Sequence, residues 1–261
     1  LQGSYNLLLV ALSVVIAVLG SYTALTLASH IPPPEVAGGI SSRTPAQPKD
    51  RFFWIGCAAF SMGAGAIWSM HFIGMVAFDL GVTVRYDLLV TALSLIIAVA
   101  VTGVAFHVVT QYTGRIVYLV TAGVVMGFGV AGMHYTGMAA MRIPATVHYD
   151  PVLFVASVVI AIVASIAALW LSVNCEANIQ MFGGALLMGL AVSGMHYTAM
   201  AAARFTRSSE TMRITETALS PELLAYGVFL LSLVTLSVGI SFALTRRALS
   251  EARRSLGSET A

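Results

Sequence analysis

Seven apolar segments, each long enough to cross a lipid bilayer as an α-helix, dominate this sequence. They fall at roughly 5–29, 52–78, 88–110, 116–141, 152–173, 180–203 and 223–245, and ~20 apolar residues are enough to span the hydrocarbon core. Within lipid each segment must satisfy its own backbone hydrogen bonds, which favours helices. The sequence therefore predicts an all-α, polytopic membrane protein with seven transmembrane helices.

Composition agrees with this fold class and argues against several others. The 261 residues are 58% hydrophobic and only 9% charged, which is not the composition of a water-soluble domain. A net charge of +2 argues against a nucleic-acid-binding surface. Two cysteines, Cys57 and Cys175, are too few for a disulfide scaffold. The lipid bilayer is therefore the first partner that we expect.

The distribution of basic residues predicts the orientation, because positively charged loops are retained in the cytoplasm. Of the 13 Lys and Arg residues, eight lie on the side of the C-terminus and five on the opposite side. We therefore expect the N-terminus outside and the C-terminus in the cytoplasm. Residues 1–245 are predicted to form the membrane domain, and residues 246–261 a cytoplasmic tail or the start of a coupling helix.

A short motif occurs three times, once in each of the second, fourth and sixth segments. Gly-Met-His-Tyr-Thr-Gly-Met at 132–138 returns as Gly-Met-His-Tyr-Thr-Ala-Met at 194–200, and a degraded copy, Ser-Met-His-Phe-Ile-Gly-Met, occupies 69–75. A charged residue lies eight positions after each histidine. After the first segment the chain thus reads as a three-fold repeat of helix pairs, segments 2–3, 4–5 and 6–7. The three histidines should lie at one depth, near the outer end of the bundle.

The repeated side chains are potential ligands of a soft metal ion. Imidazole and thioether groups suit copper, and Cu(I) in particular, and a histidine inside a membrane is costly and by default a functional hypothesis. Each His shares a helix face with the Met four residues later, whereas the Met just before it points about 100° away. The candidate metal ligands are His71, His134, His196, Met75, Met138, Met200, Met70, Met133 and Met195. Candidate residues around them are Asn6, Tyr135 and Tyr197.

Two other classes of protein also use histidines inside a membrane. A haem-binding electron-transfer protein would use them as axial ligands, and a metal transporter can be built from repeated helix pairs. A Soret absorption band would identify the first, and metal flux into proteoliposomes the second. No ionisable residue crosses the membrane interior below the histidines, so a path for a metal ion or a proton has no visible relay.

The motif Met-His-Tyr-Thr, intact at 133–136 and 195–198 and altered to Met-His-Phe-Ile at 70–73, resembles the MHYT family of bacterial integral membrane sensor domains. The resemblance covers nearly the whole chain and includes Ser-Tyr-Thr-Ala-Leu at 21–25. It implies a copper site made by the motif Met and His residues on the periplasmic side of the bacterial cytoplasmic (inner) membrane. This site would detect a diatomic gas (O2, CO or NO) or copper itself.

The resemblance also implies signal transduction to a cytoplasmic output domain in cis. Such a domain is commonly a cyclic-di-GMP enzyme, a kinase or a DNA-binding domain. Residues 246–261 hold no recognisable output domain, so we expect a sensory module that is not itself an enzyme. The oligomeric state is left open, and a homodimer is one option.

Overall fold

The structure, a computed structural model, describes residues 3–34, 48–175, 177–207 and 218–259. Seven long helices run through this part of the chain, and all seven are long and apolar enough to cross a membrane. They are α1 (Leu7–Ala28), α2 (Pro48–Phe60, continued by Ser61–Trp68 and Ser69–Val76), α3 (Leu88–Gln111), α4 (Ile116–Ala139), α5 (Pro151–Asn174), α6 (Asn178–Ala202) and α7 (Pro221–Glu259). The predicted all-α membrane fold is therefore confirmed, and most of its helix boundaries lie within two residues of the predicted ones.

The three motif helices form the inside of the bundle. In their most apolar windows, 67% of the residues of α2, 44% of α4 and 56% of α6 are buried. The corresponding shares for α1, α3, α5 and α7 are 39%, 28%, 28% and 22%. A polar side chain carried by α2, α4 or α6 can therefore face protein rather than lipid.

Together with α1, α3 and α5, these three helices form a closed ring. In the order α1, α2, α3, α4, α5, α6 each helix packs against the next, and α6 packs against α1. Helix α7 lies outside the ring and packs against α1 and α2. Each motif helix thus has an equivalent partner helix in space: α3 packs beside α2, α5 beside α4, and α1 beside α6.

Short strands cap one end of the bundle, which we call the strand end; the opposite end, where α7 finishes, is the tail end. The strands are β1 (Ser4–Tyr5), β2 (Phe78–Asp79), β3 (Arg85–Asp87), β4 (Met141–Arg142), β5 (Ala145–Tyr149), β6 (Ala203–Arg207) and β7 (Ala218–Leu219). They pair antiparallel as β1 with β2, β3 with β4 and β7, and β5 with β6.

Three equivalent hydrogen bonds set the depth of the motif helices. The backbone N–H groups of Asn6, Asp87 and Asp150 donate to the carbonyls of Ala77, Ala140 and Ala202 at 2.9, 2.8 and 2.9 Å. Each of these alanines lies six residues after a motif histidine. The side chains of the same Asn and Asp residues cap α1, α3 and α5 by accepting two backbone N–H groups each, as is favourable at a helix start. The same combination of a backbone hydrogen bond and a helix cap therefore occurs three times at the strand end.

One stretch of α2 departs from α-helical geometry. Ser61–Trp68 is a π-helix of eight residues, all of them buried. A π-turn holds one residue more than an α-turn and is frequent at functional sites. The Oγ of Ser69 donates to the carbonyl of Ala64 at 2.8 Å, which ties the end of the π-helix to its own middle. His71 follows directly after this stretch.

Candidate metal centre

The three motif histidines meet at one point inside the bundle. Each lies near the strand end of its helix, His71 on α2, His134 on α4 and His196 on α6, and their side chains are 1%, 0% and 0% exposed. Their Nδ1 atoms form a triangle with sides of 3.0 Å (His71–His134), 3.1 Å (His71–His196) and 3.3 Å (His134–His196). Among the described residues this is the group of His, Cys, Asp or Glu side chains that could hold a metal ion.

Hydrogen bonding alone cannot hold three imidazoles in this arrangement. A ring nitrogen of neutral imidazole is either a donor or an acceptor, so among three mutually adjacent nitrogens at least two must have the same role. Two lone pairs, or two N–H groups, then face each other at about hydrogen-bond distance between buried side chains. A positive ion between the three nitrogens removes this conflict, because all three can offer a lone pair to it.

The size of the triangle suits a metal ion. For a mean side of about 3.1 Å, the point equidistant from the three nitrogens lies roughly 1.8 Å from each, which is the side divided by the square root of three; metal–imidazole bonds are about 2.0 Å. A small outward movement of the rings would supply the difference. Carboxylates and thiols are absent from the group, so imidazole is its defining ligand.

The outer nitrogens of the three rings are buried, and two of them lie against a glycine of a neighbouring helix. The Nε2 atoms of His71, His134 and His196 are buried and have no hydrogen-bond partner. A Cβ added to Gly137 would meet Nε2 of His71, and a Cβ added to Gly74 would meet Nε2 of His196. Both glycines lie three residues after a motif histidine. They leave room for the neighbouring imidazole, whose Nδ1 is thereby held toward the centre.

Aromatic side chains of the motif support the imidazoles from outside. The rings of Tyr135 and Tyr197 stand edge-on to His134 and His196, with centroids 4.9 and 4.8 Å apart. Their hydroxyls lie 2.8 Å from the Oγ atoms of Ser157 and Ser13. Each serine donates its own proton to a carbonyl of its own helix, so the tyrosine is the donor in each pair.

The degraded first repeat replaces this hydrogen bond with another. Phe72 stands edge-on to His71 at 4.6 Å but has no hydroxyl. Trp68 instead donates from Nε1 to the Oγ of Ser94 at 3.0 Å. Ser94 is the counterpart of Ser13 and Ser157, because each lies seven residues after a cap residue of α1, α3 or α5. Sequence reasoning from the motif helices missed these serines, although this spacing was visible.

The six candidate methionines are all buried. Met70, Met133 and Met195 are 0–1% exposed and Met75, Met138 and Met200 are 2–3% exposed. Met75 lines a cavity of about 440 Å³ that opens at the strand end beside Tyr5, Asn6 and Asp79. A role of the methionines as ligands stays a prediction. The side chain of Asn6 caps α1 through the N–H groups of Leu8 and Leu9.

Ion pairs fix the strand end above the centre. Arg142 donates to the Oδ2 of Asp87 at 2.9 Å, and Arg204 to that of Asp150 at 3.4 Å. The hydrogen bond from Arg142 is the main reason why the pKa of Asp87 lies below its ordinary value. The pKa of Asp150 is also lowered, chiefly by the N–H of Leu153. Both carboxylates therefore stay charged through the neutral range.

Comparison with known proteins supports the repeat. The sequence model of the MHYT family, described as a bacterial signalling protein N-terminal repeat, matches residues 1–38, 65–122, 127–185 and 189–257. The last three matches each begin in a motif helix and extend into the helix that follows it. No solved structure matches the chain.

Three curated relatives are signalling proteins. The bifunctional diguanylate cyclase/cyclic di-GMP phosphodiesterase MucR of Pseudomonas aeruginosa is 42% identical over 80% of this chain and 29% of its own length. The cyclic di-GMP phosphodiesterase NbdA of the same organism is 38% identical over 76% of this chain and 24% of its own length. The signalling protein YkoW of Bacillus subtilis is 32% identical over 77% and 24% respectively. The chain thus spans less than a third of these relatives.

Proposed function

Because this chain belongs to the MHYT family of bacterial signalling proteins, we propose that it is a membrane-embedded sensor whose sensing element is a copper ion held by His71, His134 and His196. The observation that carries this proposal is the triangle of three buried Nδ1 atoms, which no arrangement of protons satisfies. The centre lies in the membrane-spanning bundle, near the strand end.

The ligand set favours copper over harder ions. Neutral imidazoles with buried thioethers nearby suit copper, whereas Mg, Ca and Mn prefer oxygen ligands, which the group lacks. When bound, copper would supply redox change or an open coordination position for a diatomic gas. The thioethers of Met75, Met138 and Met200, four residues after the histidines, are proposed as further ligands. Those of Met70, Met133 and Met195 are proposed as alternative ligands. Nδ1 atoms 3.0–3.3 Å apart leave no space for a porphyrin between any two of them.

The protein residues have three tasks in this sensor. The imidazoles bind through Nδ1, the glycines behind them fix the ring positions, and the Tyr–Ser and Trp–Ser hydrogen bonds tie each motif helix to a neighbour. A signal changes the protein only if it binds two packings with different affinity. A change in coordination would act on α2, α4 and α6 together.

The output is proposed to lie beyond the tail end. The relatives named above for cyclic di-GMP chemistry are more than three times as long as the part that this chain matches. We therefore propose that this chain contributes sensing and no catalysis, and that a cyclic-di-GMP enzyme in cis receives the signal. The strand end would face the periplasm and the tail end the cytoplasm, in the bacterial inner membrane.

Metal analysis tests the centre directly. The purified protein, its His134→Ala and His196→Ala variants and the double variant are compared for copper content and absorption spectrum. His148→Ala, in strand β5, is the matched control. We expect each motif variant to lose most of the copper and the control to retain it, because a site of three ligands fails when one is removed. Unchanged copper content in the double variant, or a Soret band in the unaltered protein, would overturn the proposal.

A further inference from the structure

A second, separate cavity lies below the histidines, toward the tail end. Its volume is about 10 Å³, and it is enclosed by α2, α4, α5 and α6. Four of the chain's 12 methionines line it: Met62, Met126, Met188 and Met195. All four are 1–3% exposed.

Three of these methionines occupy equivalent positions in the three motif helices. Met126 and Met188 each lie eight residues before the histidine of their helix. Met62 lies nine residues before His71, and the π-helix Ser61–Trp68 between them accommodates the additional residue. The three thioethers thus share one level, about 12 Å from the histidines at ~1.5 Å per residue.

The level between the two groups is closed by apolar side chains. Ile67, Val130 and Val192 each lie four residues before a motif histidine and also line the cavity. Isoleucine and valine exchange freely at this level, as expected where packing alone decides the residue. At the next level, farther from the histidines, the equivalent residue is methionine in all three motif helices. This difference points to a requirement for sulfur rather than for apolar volume.

The lining determines what can occupy the cavity. Its volume is about that of a single water-sized sphere, but a buried water needs two to four polar partners, roughly, and Ser165 is the one polar side chain in the lining. A hard ion such as Mg, Ca or Mn would need several oxygen ligands, and the side chains of the lining offer a single hydroxyl, that of Ser165, and no carboxylate. Thioethers bind soft monovalent ions such as Cu(I). Met62 accepts a long contact from Ser21 at 4.0 Å, and a sulfur with two lone pairs keeps one for an ion.

We propose that this cavity is a second metal site, which binds one Cu(I) ion through the thioethers of Met62, Met126 and Met188, with Met195 as a fourth donor. The site is distinct from the histidine centre, because Met62, Met126 and Met188 are not among the candidate ligands of that centre and an apolar layer lies between the two levels. It does not depend on whether the histidines bind metal.

The test is a two-by-two comparison under anaerobic, reducing conditions. Full-length protein in detergent is loaded with Cu(I), equilibrated with a Cu(I) chelator of known affinity, and analysed for copper per chain. The variants are M62L/M126L/M188L, H71A/H134A/H196A and their combination. Leucine conserves volume at a methionine site. Met181→Leu is the matched control, since Met181 is a buried methionine of α6 that does not line the cavity.

We expect the methionine variant to lose one equivalent of copper and the control to lose none. The histidine variant should retain one equivalent whose X-ray absorption shows sulfur and no nitrogen neighbours. Unaltered protein loaded with Ag(I), a redox-inert analogue, should show a sulfur-only component as well, which covers the case in which a variant fails to fold. An unchanged copper content in the methionine variant, or no sulfur-only metal in the unaltered protein, would refute the site. Failure of the histidine centre would instead appear as an unchanged content in the histidine variant.

Discussion

The glycine three residues after a motif histidine is as much a part of the centre as the histidine itself. Gly137 and Gly74 give the imidazoles of His71 and His196 their space. The third helix has Ala199 at this position, and the pair His134–His196 is the widest of the three, with 3.3 Å between Nδ1 atoms.

Replacement of Gly137 by alanine should therefore weaken metal binding. The new Cβ would press on Nε2 of His71 and displace its Nδ1 from the centre, and we expect about a tenfold loss in copper affinity, as is common when the support of a ligand is altered. Gly132→Ala, five residues earlier on α4, is the control, because a Cβ there meets nothing within 4 Å. Competition with a copper chelator measures both. Equal affinities in the two variants would mean that the glycine serves helix packing alone.

Single residues also explain how a degraded motif can keep the contacts of the intact ones. Phe72 removes the hydroxyl that the other two repeats use, and Trp68 supplies a donor to the equivalent serine, Ser94, one helical turn earlier. The link between neighbouring helices is thus retained by a different side chain. Sequence comparison of the motif alone suggests a lost function at this repeat, whereas His71 contacts both other histidines.

At the scale of elements, the starts of α3 and α5 combine a helix cap with an ion pair. Asp87 caps α3 through Oδ1 and accepts from Arg142 through Oδ2. This connects the start of α3 to strand β4, just beyond the motif of α4. Its side chain is 11% exposed, against 28% for that of Asp150 in the equivalent position. The first of these pairs should therefore contribute more to stability.

The contribution of Asp87 to stability should depend on pH. Its pKa is lower in the folded protein than in the unfolded chain, chiefly because of Arg142. The stabilisation is therefore fully present above the unfolded value of about 3.9 and is lost as the pH falls through the lower, folded value. Asp87→Asn should lower the Tm at pH 7 by more than Asp150→Asn, and the difference from unaltered protein should shrink toward pH 3. Thermal unfolding in detergent measures both, and a difference that stays constant with pH would contradict this assignment.

The number and extent of the helices could be predicted from the sequence, because apolar length alone decides which segments cross a membrane. The convergence of His71, His134 and His196 could be predicted from their repeat and shared depth. The end of α7 was left open: the apolar segment ends at residue 245, and the residues after it could form either a tail or the start of a coupling helix. The structure continues the helix to Glu259, which hydropathy does not decide because a helix can leave the bilayer without any apolar signal. Residues 260 and 261 of the predicted tail lie outside the described residues.

Which helices are neighbours in the bundle could not be predicted from the sequence, and the reason is physical. A membrane helix is apolar on the lipid side and on the protein side, so hydrophobic periodicity does not show which face is buried. The repeat predicted the pairs 2–3, 4–5 and 6–7 along the chain, but not that α1 would close the ring against α6 and leave α7 outside. The π-helix was not predicted from the sequence either. The distance from Met62 to His71 is nevertheless one residue longer than the equivalent distance in the other repeats, as a π-helix requires.

For the whole molecule, this arrangement places α7 next to one motif helix. Thr235 of α7 packs directly against Gly65. A Cβ added to this glycine would lie 2.5 Å from the side chain of Thr235. Gly65 lies in the π-helix of α2, six residues before His71. Helix α7 also packs on α1, where Gly239 faces Thr23. Helix α7 also packs against Ser69–Val76, the segment of α2 that holds His71. A packed route from the histidines to α7 therefore runs through α2, and the π-helix is part of it.

A π-helix is well suited to transmit a change at the histidines. Its hydrogen bonds can shift toward the α-helical pattern in the same segment, which would rotate and translate one half of α2 against the other. Since α7 is in contact with the segment that would change, a shift of His71 would alter the position of α7. Coupling of this kind requires a defined contact between the two helices, and the packing of Thr235 on Gly65 is such a contact.

Gly65→Ala should therefore uncouple the output from the metal without removing the metal. A diguanylate cyclase domain is fused after residue 261, and cyclic di-GMP is measured with and without copper and with and without CO, a gas that binds Cu(I). The matched control is Gly56→Ala, also on α2, where a Cβ meets nothing within 4 Å. We expect the control to respond like the unaltered domain. The Gly65 variant should hold the same amount of copper but lose most of the response, because the added methyl group pushes Thr235 away from the π-helix. A full response in this variant would show that the signal reaches the tail end by another route, and no response in the unaltered fusion would leave the histidine centre without a role in signalling.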